Sequence, residues 1–445
     1  MFPWSVRNRL LIMLCALCLL GASTCRLVGQ TTIIEGTCFG PIEYKVTVAV
    51  AIDEMQAADL KAKVQQRLDE INAKMSTYLA DSEVSRFNAS KSLDWFDVDG
   101  ETAKVVSRSL EISSQTSGAF DITVGPLVQV WKFGAAGEGS VDAQADAAQQ
   151  SMPTAQQIET ILKSVGYQKL EVRLDPPAIK KAVQDLQIDL SAVAKGYAVD
   201  QVALVTVSQG FENYFVQVGE EVRAAGKHPE GRDWVCGIEK PIEMIRVIEF
   251  TVPLVDQAIA TSGDYRQFRL IGGKRYSHTI DPRTGMPSTS QVALASIAAA
   301  DCLTADAFAT GMMVLGAKES LALAQSLGLG LHLVSRDESG GLANVTNAAY
   351  PVAILPPAAP AGANWVVMLG ITALVFGLAL AGMSVGVMFK RAPIKGSCGG
   401  LASMPDTEGK SICDMCSTPS KECQENGLGS KAVREAAEAA AREQS

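Results

Sequence analysis

The sequence predicts an α+β body, then one membrane-spanning helix and a short cysteine-rich tail. Strand-like and helix-like segments alternate through residues 30–350, an order compatible with a mixed fold; the class itself rests on the motif blocks of the body. Residues 365–389 carry no charge and are followed by Lys390, Arg391 and Lys395, the length and flank of a membrane span. Beyond it Cys398, Cys413, Cys416 and Cys423 cluster. A chain of 445 residues accommodates one large or two medium domains, and a hydrophobic content of 47% is ample for a core. The net charge of −9, with no basic stripe, argues against nucleic acid as a partner.

The elements follow in order. Arg7 and Arg9 precede the apolar run Leu10 to Ala22, so residues 1–29 read as a signal peptide or an N-terminal membrane anchor. Cys25 invites lipidation, but Ala22-Ser23-Thr24 is a poor lipobox; cleavage, anchoring and lipidation stay open. Tyr44 to Ile52 alternates and is β-branched, which predicts a strand. Residues 56–75 and 101–116 have helical spacing. Residues 135–155 are rich in Ala, Gly and Gln and read as a solvated insert. Ile188 to Asp200 reads as a strand turning into a helix. The body closes near residue 350. A Pro/Ala linker, 351–363, leads to the span at 364–389, the cysteine segment at 390–424 and an Ala/Glu/Arg-rich helix at 425–445.

The chemistry concentrates in residues 258–316. Thr261-Ser262-Gly263-Asp264 follows an apolar run. His278 stands just before Asp281-Pro282 and the turn Arg283-Thr284-Gly285. Asp306 and Thr310 lie four apart in an apolar-periodic segment, so a helix puts them on one face. Two such oxygen groups suit Mg²⁺, a hard cation that keeps waters and binds phosphate oxygens; the same spacing fits a helix cap and a packing residue. The sequence has no P-loop, no GxGxxG after a strand, no HExxH and no GxSxG. His228 lies in a polar loop and is expected in solvent. His332 sits in an alternating apolar stretch and is expected to be a satisfied structural histidine.

Ala260–Tyr265, Tyr276–Pro287 and Ala305–Thr310 resemble, in this order, the ATSGdY, YSHxIDPxTGxP and ADAxxT blocks of the ApbE family of Mg²⁺-dependent flavin transferases. Further blocks lie upstream: Met75–Asn88, Gly118–Leu127 with Trp131–Gly134, Asp189–Asp200 and Gly219–Glu221. The resemblance covers roughly residues 33–335 and implies an α+β fold. It implies that FAD is held by Tyr78, Ala119, Phe120, Asp121, Asp189, Lys195, Ser262 and Ile280. It implies Mg²⁺ on Asp306, Thr310 and the backbone carbonyl of Ala192, with His278 as the base. Two departures stand out: Ser191-Ala192 replace a Gly-Gly pair, and Glu220 replaces the second glycine of a Gly-Gly-Glu block.

The stretch Lys390 to Leu401 resembles the NqrM family, small maturation proteins of the Na⁺-translocating NADH:quinone reductase. That resemblance covers roughly residues 365–424 and implies iron or zinc on Cys398, Cys413, Cys416 and Cys423. Charges at both ends place the tail in the cytoplasm and the body in the periplasm, on the inner membrane. The expected function is transfer of FMN from FAD to a Thr or Ser hydroxyl of Nqr- or Rnf-type subunits, with release of AMP. The expected role of the tail is to assist iron or Fe–S maturation of the same complex. The alternative is a periplasmic protein that binds or hydrolyses FAD without transfer.

Overall fold

Eight strands pair side by side in the order in which the chain makes them. They are β1 (Thr32–Cys38), β2 (Ile42–Val48), β3 (Tyr214–Val218), β4 (Glu221–Ala225), β5 (Gln257–Gly263), β6 (Val292–Ala299), β7 (Gly330–Arg336) and β8 (Leu342–Thr346). Every pairing is antiparallel. Helices and small hairpins are excursions between neighbouring strands, the α+β arrangement expected. The computed structural model describes residues 30–133, 152–242, 246–265, 268–271, 274–337 and 341–352. The expected leader, most of the insert, the expected membrane span and the tail with its four cysteines lie outside those residues. The chain divides into units Met1–Pro356 and Pro357–Ser445, and everything described belongs to the first. Among the described residues no helix is long and apolar enough to cross a membrane.

The helices are α1 (Glu54–Met75), α2 (Glu83–Ala89), α3 (Gly100–Gln115), α4 (Gly125–Val130), α5 (Ala155–Leu162), α6 (Ser191–Ser208), α7 (Cys302–Leu315) and α8 (Ala317–Leu327). Asp53 and Gln56 close a capping box at the start of α1, and Leu60, Val64, Leu68, Ile71 and Met75 form its buried stripe. That stripe, α6 and α7 fill the main core on one face of the sheet. The hairpin Trp234–Glu239 with Ile248–Leu254 covers the other face. There Trp234, Phe250 and Val252 pack with Val222, Ile259 and Tyr350.

Two expectations are corrected. Residues before α6 do not form a strand. The Asn88 side chain takes both backbone groups of Ile188, at 2.8 Å each, so no neighbouring strand is needed to satisfy them. The first predicted strand of the body ends at Val48 instead of Ile52, because the Thr32 hydroxyl accepts the Ile52 N–H at 3.1 Å and turns the chain.

Candidate active site

The site forms where α6 crosses α7. Asp301, not Asp306, caps α7, accepting the Thr304 N–H at 2.8 Å. Asp306 lies inside the helix and is 2% exposed. Gly196 brings the helices together: a Cβ there would stand 2.4 Å from the Cys302 carbonyl oxygen and 2.8 Å from the Asp306 Cβ. The Gly196 N–H donates to Asp306 Oδ2 at 2.9 Å. A regular helix would give that N–H to the carbonyl four residues back, which is Ala192. Asp306 therefore competes for the hydrogen bond that would otherwise occupy the Ala192 oxygen.

Lys195, one residue before that contact, sits between two acids. Its Nζ is 2.5 Å from Glu221 Oε1 and 3.8 Å from Asp306 Oδ1. Burial pushes the Asp306 carboxyl above its ordinary value, and Lys195 opposes the rise. Burial also works to lower the Lys195 ammonium, but Asp306 and Glu221 outweigh it and hold its pKa above the usual lysine range. Thr310, one turn beyond Asp306, is 3.4 Å from the Ser262 hydroxyl on β5. Next to it, Gly311 packs on Phe120, where an added Cβ would stand 3.1 Å from the Phe120 Cβ. So the fold brings Asp306, Thr310, Ser262, Lys195 and the start of α6 together. Among the described residues no three His, Cys, Asp or Glu side chains form a metal cluster. The expected set, one carboxylate with a hydroxyl and a carbonyl, is of a different kind.

The expected flavin side is less uniform. Ala119, Phe120 and Asp121 are all buried. Asp121 does not reach out as a free acceptor. Its Oδ1 accepts the N–H and hydroxyl of Thr123 at 2.8 and 2.7 Å, and Oδ2 accepts the Tyr167 N–H at 2.7 Å. It organises the loop, and the backbone beside Gly118, at φ +76°, is what remains to meet a ligand. Ile280 is likewise buried, in a cluster with Leu127, Trp131 and Ile158, which leaves its backbone for contact. Tyr78, by contrast, is 54% exposed. Asp189 Oδ1 accepts the N–H and hydroxyl of Ser191 at 2.9 and 2.5 Å. Asp189 also lines a cleft of about 140 Å³ with Thr77, Ser85, Asn88, Gly125 and Gln129. That volume seats only part of a dinucleotide.

His278 is half-buried, edge-on to Phe133 at 6.5 Å between centroids. Its loop is tied to α7: Ser288 donates its N–H to Thr279 O at 2.8 Å and its hydroxyl to Met313 O at 3.1 Å. Asp281 is paired with Arg283 at 2.8 Å, which disfavours it as a base. His228 is not simply solvated, since it packs edge-on against Trp234 at 5.2 Å. His332 is only half satisfied. Its Nδ1 is 2.7 Å from the Thr346 hydroxyl, while Nε2 is buried with no hydrogen-bond partner. Sequence reasoning placed Glu221 in a motif block but gave it no role in the site. The signal was there: a carboxylate heading an alternating strand, at an inward-facing position beside Val222.

Hard oxygen donors and a lysine cluster at the α6–α7 crossing, and Asp189, just before α6, lines a cleft, all on one antiparallel α+β frame. The chain belongs to the ApbE family, whose model matches residues 42–333. Its C-terminal residues 387–435 match the family described as (Na+)-NQR maturation NqrM. A Vibrio cholerae FAD:protein FMN transferase is 37% identical over 281 residues, 63% of this chain and 80% of that protein. The Salmonella typhimurium FAD:protein FMN transferase is 35% identical over 310 residues, 69% of this chain and 85% of that protein. Among solved structures, the flavin transferase ApbE from Vibrio cholerae superposes with a TM-score of 0.64 at 34% identity, covering 72% of this chain and 98% of that one. The apo flavinyl transferase ApbE of Pseudomonas stutzeri gives 0.63 at 31% identity, covering 72% and 96%.

Proposed function

We propose that this chain is an FAD:protein FMN transferase that uses Mg²⁺. The observation that carries the reading is the crossing at Gly196, where a buried carboxylate accepts the Gly196 N–H in competition with the Ala192 carbonyl while the Thr310 and Ser262 hydroxyls meet alongside. Asp306, Thr310 and the Ala192 oxygen would hold the metal, and all are hard oxygen donors. When bound, Mg²⁺ supplies Lewis-acid polarisation of the attacked phosphoryl group. Lys195 provides a point charge for the pyrophosphate. Tyr78 stacks on the flavin ring, and the Gly118–Phe120 backbone and Asp189 position the nucleotide. His278 takes the proton of an acceptor Thr or Ser hydroxyl. That oxygen forms a bond to the FMN phosphorus, the bond from that phosphorus to the bridging oxygen breaks, and AMP leaves with the oxygen. Phosphoryl chemistry of this kind depends on positioning and charge more than on covalent help.

The NqrM-like tail supports Nqr- or Rnf-type flavoprotein subunits as acceptors. It also supports iron or Fe–S assembly of the same complex by the tail cysteines. The same reading places the body outside the inner membrane and the tail in the cytoplasm. The full chain, incubated with FAD, Mg²⁺ and such an acceptor subunit, should yield acid-stable flavin fluorescence on the acceptor and one AMP per flavin attached. Free FMN with AMP, or unchanged FAD, would refute transfer.

A further inference from the structure

Glu221 has no step in the reaction above, yet it is a carboxylate 2% exposed at the head of β4. Its position is fixed on both oxygens. Oε1 lies 2.5 Å from Lys195 Nζ, and Oε2 accepts the Glu220 N–H at 3.2 Å. Gly219, at φ +64°, lies close by: an added Cβ would stand 3.2 Å from Oε2. The lysine is thus shared unequally between two acids, close to Glu221 and 3.8 Å from Asp306.

This inequality matters because an ammonium closed onto a carboxylate oxygen takes up one of its lone pairs and repels a cation there, which makes that oxygen a weaker metal ligand. Take Glu221 away and the only buried anion left for Lys195 in this cluster is Asp306. The charge count points the same way. Asp306, Lys195 and Glu221 together carry −1, which attracts a divalent cation. Asp306 and Lys195 alone carry zero.

We propose that Glu221 is a positioning residue that keeps Lys195 off Asp306 and so leaves the Asp306 carboxylate open to a divalent cation. The proposal rests on the metal reading of Asp306, Thr310 and Ala192. The test is Mn²⁺ binding to the full chain, read from the free-ion paramagnetic resonance signal, with the melting temperature measured on the same preparations. Glu221→Gln should weaken Mn²⁺ binding at least tenfold. Adding Lys195→Met to it should restore binding to within about threefold of wild type, because the competing ammonium is gone. A purely structural Glu221 would give no such rescue. Should Glu221→Gln fail to fold, Lys195→Met alone decides, since it should bind Mn²⁺ at least as tightly as wild type. Wild-type affinity in Glu221→Gln, an unrescued double variant or weakened binding in Lys195→Met overturns the proposal, while loss of Mn²⁺ in Asp306→Ala leaves the metal reading standing. Wild-type affinity in Asp306→Ala overturns both.

Discussion

Replacing Gly196 by Ala tests whether the α6–α7 crossing is what builds the site. Helix propensity alone predicts stabilisation of about 1 kcal/mol for this change in a helix interior. The structure predicts the opposite. The new methyl would lie 2.4 Å from the Cys302 carbonyl oxygen, 2.7 Å from its carbon and 2.8 Å from the Asp306 Cβ. Comfortable contacts lie near 3.5–4.0 Å, so the helices would have to part by about 1 Å. The obstacle is largely backbone, which cannot swing aside, so the overpacking cost should fall at the upper end of ~1–3 kcal/mol. Parting the helices also stretches the 2.9 Å bond from Gly196 to the Asp306 carboxylate. Bonds to charged groups contribute ~1.5–3 kcal/mol. Net of propensity, we expect a loss of ~2–4 kcal/mol, read as a lower urea midpoint by tryptophan fluorescence, with weaker Mn²⁺ binding in the still-folded variant. A Gly196→Ala protein as stable as wild type, with unchanged metal affinity, would show that the crossing is not tight and that Asp306 is placed by something else.

His278→Ala should cut flavin transfer at least ~100-fold, the range for loss of a general base, while FAD affinity stays within a few-fold. Partial recovery at high pH is expected, and a joint fall of affinity, melting temperature and transfer would mark His278 as structural instead. His332 carries its own pH signature. Burial lowers its pKa from 6.5 to about 4, so the folded protein resists its protonation. The contribution is complete above pH 6.5 and is lost as pH falls toward 4, reaching ~3 kcal/mol, at 1.36 kcal/mol per pKa unit. His332→Gln should flatten that acid limb of the stability curve, and an unchanged limb would exclude His332 as its source. Lys181→Met should destabilise by ~2–4 kcal/mol in urea unfolding, because its Nζ donates to the carbonyls of Phe87, Ser90 and Leu186 at 2.9, 2.9 and 3.1 Å. A loss below ~0.5 kcal/mol would mean that water takes over those carbonyls.

Much of this was legible in the sequence because it is local. The stripe Leu60 to Met75 announces α1 by its period, and Asp306 and Thr310 share a face because they are four apart in a helix. What escaped depends on partners far along the chain. Asp121 is expected to contact FAD, and nothing in its neighbourhood shows that Tyr167 will bring an N–H to it. Nothing near Gly196 in the sequence shows that Cys302 will lie against it. Lys195 read as a phosphate ligand, and only the pairing of β3 with β4 and the packing of α6 bring Glu221 to it. Ile188 to Leu190 has strand composition, but Asn88 removes the backbone groups a strand would need to share. Long-range polar pairs of this kind leave no periodic trace.

The order of the sheet, in which spatial neighbours are also neighbours along the chain, separates the frame from what it carries. Among the described residues, every functional group named above, apart from Ser262 on β5 and Glu221 on β4, sits in an excursion that leaves one strand and returns to the next. The largest leaves at Val48 and returns at Tyr214, which face each other across β2 and β3. Doubling the length of such a loop costs only ~0.6 kcal/mol in closure entropy. Insertions between strands can therefore accumulate, and reshape which nucleotide or acceptor surface is met, without moving a single rung of the ladder.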